Sequence, residues 1–221
     1  MLISHKHKFI IINIPKTGSR SLRETLAPLN VIDLIGGSSQ SSVEVKFSHH
    51  GYIKEAVSGF KEEGWDFNEY FKYSFVRNPW DRYFSFYTYY KDKLKFYQKT
   101  NIELNDNQQR QKINTFNLFK NKGDEEVFKS IILEFPPHIN YFIDNGGNML
   151  IDEIGQLENI STCFDKFCEK VNLLQTPKLK HENKSDKASV TKDNLYTQEL
   201  IDIVAEKEKW VIDEFGYNFE E

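Results

Sequence analysis

Cysteine is scarce in this chain, with two in 221 residues, Cys163 and Cys168. Five positions apart on an expected helix, they fall on different faces, which argues against a bridge between them. Neither has a His or Cys neighbour at metal-ligand spacing. They read as small buried apolar residues, and neither a structural disulfide nor a metal site is expected. A basic excess is lacking too: 29 Lys and Arg stand against 33 Asp and Glu, a formal net charge of -4. General nucleic-acid binding needs the opposite balance. Long apolar runs are missing, and none follows the basic residues of Met1-Leu2-Ile3-Ser4-His5-Lys6-His7-Lys8. Neither a signal peptide nor an integral membrane segment is read there. Internal repeats and coiled-coil heptads are also absent. What the chain does have is rings: 18 Phe and 11 Tyr, an aromatic content of 14%. With 39% hydrophobic and 28% charged residues, this is the composition of one well-buried globular domain.

The chain is organised around Ile14-Pro15-Lys16-Thr17-Gly18-Ser19-Arg20-Ser21-Leu22. Before it, the β-branched run Phe9 to Ile14 has the pattern of a buried parallel strand. After it, Ser21 to Leu29 holds helix formers, with Leu22 and Leu26 four apart on one face. A strand that ends in a Gly/Ser/Thr loop and opens a helix gathers backbone N–H groups and a positive helix end at one point. Hydroxyls of Thr17, Ser19 and Ser21 and the charge of Lys16 converge there. The nucleotide-triphosphate pattern is not met, because Lys16 precedes the only glycine of the loop. Taken alone, the stretch is an anion site or an ordinary polar turn.

A second signal lies at Tyr73-Ser74-Phe75-Val76-Arg77-Asn78-Pro79-Trp80-Asp81-Arg82-Tyr83-Phe84-Ser85-Phe86-Tyr87. Phe71 to Val76 is expected as another buried strand, with Asn78 as N-cap and Pro79 at the first helical position. Tyr83, Tyr87, Tyr90 and Leu94 form a core-facing stripe. Arg77 then sits at the strand's C-terminal end, where ligands bind in open α/β sheets. It lies beside the first loop if the two strands are neighbours, and Ser85 falls about two turns into the helix.

Together, P-K-T-G-S-x-S-L and R-N-P-x-D-R-x-x-S-x-Y resemble the 5′-phosphosulfate loop and the 3′-phosphate motif of the sulfotransferase superfamily. The closer likeness is to its bacterial and carbohydrate-type branch. Glu158-Asn159, Asn183-Lys184-Ser185 and Phe215-Gly216-Tyr217-x-Phe219 are similar to later landmarks of that branch. The chain departs from it at Gln156, where many relatives carry arginine. The segment from about Lys91 to Phe135 shares little with the family, and it is where acceptor contacts are expected. The resemblance implies 3′-phosphoadenosine 5′-phosphosulfate (PAPS) as donor, adenosine 3′,5′-bisphosphate as product and no metal. It also implies a single α/β domain over residues 1–221, with a short central parallel sheet flanked by helices. Lys16, Thr17, Gly18, Ser19, Arg20 and Ser21 would hold the 5′-phosphosulfate, Arg77 and Ser85 the 3′-phosphate, and Asn183, Lys184 and Ser185 the adenosine. Many eukaryotic carbohydrate relatives are membrane-anchored; without an anchor, a cytoplasmic enzyme is expected.

Between the motifs, Gly36 to Ser42 is a loop by composition, and Val43 to Phe47 alternates like a short strand. That strand delivers Ser48-His49-His50-Gly51 at its end, where a histidine is a natural general-base candidate. His49 and His50 both qualify, and the register of the resembling branch favours His50. Gly51 to Phe60 and Ser161 to Leu174 are expected helices, and short helices are expected within Ile113 to Ile132. Tyr141 to Ile151 is expected as a hairpin around an Asn-Gly turn, followed by a strand-like Met149–Ile154. His138 reads as a turn histidine, with assistance to the acceptor as the other option. Leu179 to Lys192 is a solvated loop, and Thr197 caps a last helix that Gly216 closes.

The expected reaction moves a sulfuryl group to a hydroxyl of a small-molecule or glycan acceptor, with His50 removing its proton and Lys16 neutralising the bridging oxygen. A phosphate-loop kinase would need its lysine after the glycine and an Mg²⁺-binding aspartate. A non-catalytic nucleotide-binding protein would keep the anion site and have no use for a histidine at its rim.

Overall fold

The computed structural model describes residues 1–26, 34–35, 48–100, 121–173, 179 and 191–220. They divide into two compact units, Met1–Arg77 with Pro137–Asn183, and Asn78–Pro136 with Lys184–Glu221.

The first unit holds the sheet. Strand β1 (Leu2–Ser4) turns back into β2 (Phe9–Ile12), all of whose residues are buried. Helix α1 (Ser19–Leu26) follows, then β3 (Leu34–Ile35), α2 (Ile53–Glu63) and β4 (Phe71–Val76). The five strands are ordered β3-β1-β2-β4-β5, where β5 is Glu153–Gln156. β2, β4 and β5 run parallel, and β1 is antiparallel to both of its neighbours. The parallel centre is thus three strands wide, extended on one side by an antiparallel edge.

Register follows from chemistry along the strands. Ile12 lies opposite Ser74, whose hydroxyl donates to the Ile12 carbonyl at 2.7 Å. The Lys72 ammonium meets the Asp152 carboxylate at 2.9 Å at the start of the β4–β5 pair. One sheet face is covered by α1 and α5 (Ile160–Lys170), where Leu22, Leu26, Phe164, Phe167 and Cys168 pack on Phe9, Ile11, Tyr73 and Phe75. Cys163 and Cys168 are both free thiols.

The expected strand over Met149–Ile154 starts four residues later, at Glu153, and ends two later, at Gln156. Met149 makes only an isolated antiparallel bridge with Ile143. The Asp144 carboxylate accepts from the backbone N–H of Gly146 and of Asn148, closing the Asn-Gly loop on itself. Pairing with β4 places the strand at the less apolar Glu153–Gln156, because the neighbouring strand, and not apolar content, decides where a ladder forms. The run from Phe9 also ends its strand at Ile12, two residues early. The helix after the histidines starts at Ile53 and continues to Glu63, closed by Gly64 in the left-handed conformation.

The second unit is helical: α3 (Pro79–Thr100), α4 (Asp124–Glu134), α6 (Lys192–Leu195), α7 (Gln198–Lys207) and α8 (Lys209–Phe215). The Asn78 side-chain oxygen accepts from the N–H of Trp80 at 3.1 Å and of Asp81 at 3.4 Å, so it caps α3 as expected. Thr197 caps α7 by accepting from the Leu200 N–H. The single C-terminal helix expected from Thr197 to Gly216 is broken at Glu208 into α7 and α8. Glu208 is buried there because its carboxylate meets the Arg82 guanidinium at 2.9 Å and the Tyr83 hydroxyl at 3.0 Å. Among the described residues, no helix is long and apolar enough to cross a membrane. The Gly36–Ser42 loop and the Val43–Phe47 strand lie outside the described residues.

Candidate active site

β2 and α1 are joined by Asn13 to Gly18, and the backbone there takes a form that few residues tolerate. Lys16 has φ 70° and Gly18 φ 82°. Left-handed residues in a tight loop turn successive N–H groups to one side, the concave arrangement that receives anions. Gly18 is also required by contact: a Cβ on it would lie 2.7 Å from Leu157 Cδ1 and 3.3 Å from Ile160 Cδ1. Its carbonyl takes the first α1 bond, from the Leu22 N–H at 3.1 Å, so the helix N-terminus opens directly from the loop.

The polar side chains of the loop divide their tasks. The Thr17 hydroxyl donates to the Ile14 carbonyl at 3.0 Å, so it braces the loop and leaves only the residue's N–H for an anion. Arg20 is exposed and pairs along α1 with Glu24 at 2.8 Å. Ser19 is buried at the first helical position and Ser21 is half-buried.

β2 and β4 are neighbours, so Arg77, one residue past β4, arrives beside this loop. Its guanidinium donates to the Lys16 carbonyl at 3.4 Å. The Arg77 backbone N–H is directed at Nε2 of His138, also at 3.4 Å. His138, read from sequence as a turn residue, lies in a short turn (His138–Tyr141) and is 0% exposed.

The histidine pair is held from several sides. The Met1 amine donates to the Ser48 carbonyl at 2.7 Å and to the His49 carbonyl at 2.6 Å. The Arg23 guanidinium reaches the His49 ring, with Nη2 2.9 Å from Nε2. The His49 and His50 rings lie 4.2 Å apart, and His50 Nδ1 is 2.8 Å from the Asn13 carbonyl. A carbonyl accepts only, so Nδ1 carries the proton and Nε2 keeps its lone pair. The surroundings lower the His50 pKa to about 4, first through desolvation by the protein around it. The Asn13 carbonyl opposes this, and the Met1 amine, Arg23 and Lys16 add to the lowering. The residue itself stays exposed. Protein walls and open access coexist at a rim, and the imidazole is neutral near pH 7.

The match to a family model fits this geometry. The model described as Sulfotransferase family matches residues 1–211. The chain belongs to the sulfotransferase family. Sulfuryl transfer is the chemistry of that family, and the chain is therefore a transferase. No curated protein and no solved structure matches the chain.

Within this sulfotransferase, one unit brings together Lys16, Thr17, Gly18, Ser19, Ser21, His49, His50 and Arg77. Ser85 lies in the other unit, half-buried on α3, with its carbonyl accepting from the Thr88 hydroxyl at 3.3 Å. Its expected partnership with Arg77 stays an expectation from the motif. Asn183, Lys184 and Ser185 lie outside the described residues. Glu158 and Asn159 are exposed in the turn that precedes α5, and Gln156 ends β5 half-buried. Sequence reasoning missed Asn13 and Arg23. Asn13 carried a signal, as the one polar residue between the apolar run and the loop; Arg23 looked like any charged helix residue.

Proposed function

We propose that this chain transfers the sulfuryl group of PAPS to a hydroxyl of an acceptor, a small molecule, carbohydrate or glycoconjugate, by in-line displacement. When bound, the donor supplies the group to be transferred and leaves as adenosine 3′,5′-bisphosphate. The observation that carries the reading is the 2.8 Å contact of His50 Nδ1 with the Asn13 carbonyl, at the mouth of a phosphate-type loop. It leaves Nε2 free to take the acceptor's proton. The N–H groups of the loop and the N-terminus of α1 would hold the 5′-phosphate without reorganising. Lys16 would neutralise charge on the departing oxygen, and Arg77 would pair with the 3′-phosphate. Asn183, Lys184 and Ser185 are proposed at the adenosine on the family resemblance alone, and Ser85 on the motif alone.

His50→Ala should lower single-turnover transfer from labelled PAPS by ~10²–10⁴-fold, the usual worth of a positioned base. Affinity for adenosine 3′,5′-bisphosphate should stay nearly unchanged, and His49→Ala should cost far less turnover. The lowered His50 pKa also sets the pH profile. A base must be unprotonated, and this one stays so until the pH falls towards its own pKa. In wild type, kcat/KM should hold level down to about pH 5.5, where a histidine of ordinary pKa 6.5 would already have lost ~tenfold. A dead His49→Ala beside an active His50→Ala would move the base by one residue. Bisphosphate affinity lost together with turnover in His50→Ala would make the residue structural.

A further inference from the structure

Arg77 matters to the proposed donor site only if its guanidinium is aimed at the loop, and its aim begins at its backbone. β4 ends at Val76 and α3 begins at Pro79. Arg77 is thus the first residue past the strand. His138 reaches its N–H from 61 residues away: Nε2 lies 3.4 Å from the Arg77 nitrogen, within a ring that is 0% exposed. Pro137 enters the turn with φ -66° and ψ 163°, and the turn continues through Tyr141, which is buried and stacks on Tyr52 at 4.8 Å between ring centroids. The ring is thus anchored on a turn that is itself packed. Burial also removes His138 from any role as the acceptor's base, because no solvent-borne hydroxyl reaches it.

We propose that His138 is a positioning residue for the 3′-phosphate subsite: its Nε2 accepts the Arg77 N–H and so sets the direction from which the Arg77 guanidinium crosses to the phosphate-type loop. Accepting at Nε2 requires the proton on Nδ1, the same tautomer inferred for His50. This rests on the reading of Arg77 as a ligand of the donor's 3′-phosphate.

The test compares His138→Leu, His138→Asn and His138→Gln with wild type. Gln places its amide oxygen near where Nε2 stands, Asn nearer Nδ1, and Leu offers no acceptor. Calorimetric titration with adenosine 3′,5′-bisphosphate and with adenosine 5′-monophosphate separates the 3′-phosphate from everything else. His138→Leu should lose ~tenfold or more of bisphosphate affinity with monophosphate affinity nearly unchanged, Asn should behave like Leu, and Gln should recover most of the loss. Amide exchange of Arg77, read by NMR, should quicken in Leu and Asn and stay slow in Gln, with neighbouring β4 amides unchanged. Equal losses for both nucleotides, no loss, or no recovery in Gln would overturn the proposal. If wild type itself failed to prefer the bisphosphate, the donor reading would fall. The Arg77 amide would still decide the hydrogen bond, and its unchanged exchange in His138→Leu would remove the bond as well.

Discussion

Arg77 and Arg82 stand five residues apart in one motif and live in opposite surroundings. Arg77 is half-buried and crosses to the Lys16 carbonyl of the phosphate-type loop at 3.4 Å. Arg82 is fully buried, with Glu208 at 2.9 Å and the Pro136 carbonyl at 3.1 Å and 3.2 Å. The division runs through the whole motif. Asn78 donates to the Asn218 carbonyl, the Trp80 indole to Ile201, and Asp81 pairs with Lys192 at 3.0 Å. The Tyr196 hydroxyl donates to the Trp80 carbonyl, and Phe219 packs edge-on to both Trp80 and Tyr196. One residue of the motif thus faces the phosphate-type loop, while Asn78, Trp80, Asp81, Arg82 and Tyr83 secure the start of α3 to the C-terminal segment. The C-terminal landmark Phe215-Gly216-Tyr217-x-Phe219 belongs to that same packing. Only Arg77 and Ser85 of this motif are expected as donor ligands, and most of the rest is the fixture for a helix.

The largest way to break the comparison is Arg82→Met. It strands the Glu208 carboxylate in the interior, and breaking a buried pair costs about 3–5 kcal/mol. Urea unfolding should show that loss, and the double variant Arg82→Met with Glu208→Met should recover much of it. A single variant as stable as wild type would mean that water reaches Glu208. Arg77→Ala is the counterpart, with little change in unfolding midpoint. It should weaken adenosine 3′,5′-bisphosphate by ~1.5–3 kcal/mol while sparing adenosine 5′-monophosphate, because only the former carries the 3′-phosphate. Equal losses would return Arg77 to the structural half of the motif. The smallest effect belongs to Arg20, exposed and paired with Glu24. Its replacement by Ala should shift stability by no more than ~0.5 kcal/mol, as for other surface pairs within a helix. Were Arg20→Ala to cost as much bisphosphate affinity as Arg77→Ala, the guanidinium would have to leave Glu24 when the donor binds.

Local signals carried far in this chain. The continuous apolar run from Phe9 and the hydroxyl-rich loop announced a buried strand opening a helix. Asn78-Pro79 announced the start of α3 to the residue, since a capping side chain and a proline at the first helical position act within one turn. The same locality explains Thr197 and the buried Phe164, Phe167 and Val171. β5 was not legible, because Glu153-Ile154-Gly155-Gln156 has no strand pattern of its own and takes its conformation from β4. Gly155 is there because a Cβ would meet Cys163 Cβ at 2.8 Å and Phe75 Cε1 at 2.9 Å. The break at Glu208 was hidden for a similar reason, as its cause sits 126 residues away at Arg82.

The sequence by itself determined the family and the strand–loop–helix around Gly18, because both reside in short runs whose chemistry is complete within a few residues. Only the tertiary structure decided which polar groups in those runs are already engaged. Thr17 is committed to Ile14, Arg20 to Glu24 and Arg82 to Glu208, whereas Arg77 is brought to the loop by the pairing of β2 with β4. It also decided how His50 is held, since the Asn13 carbonyl that selects its tautomer, the protein around it whose desolvation keeps it neutral, and the Met1, Arg23 and Lys16 charges that add to this come from separate stretches of chain. Hydrogen bonds and charges act over a few ångströms of space, and distance along the chain does not predict them.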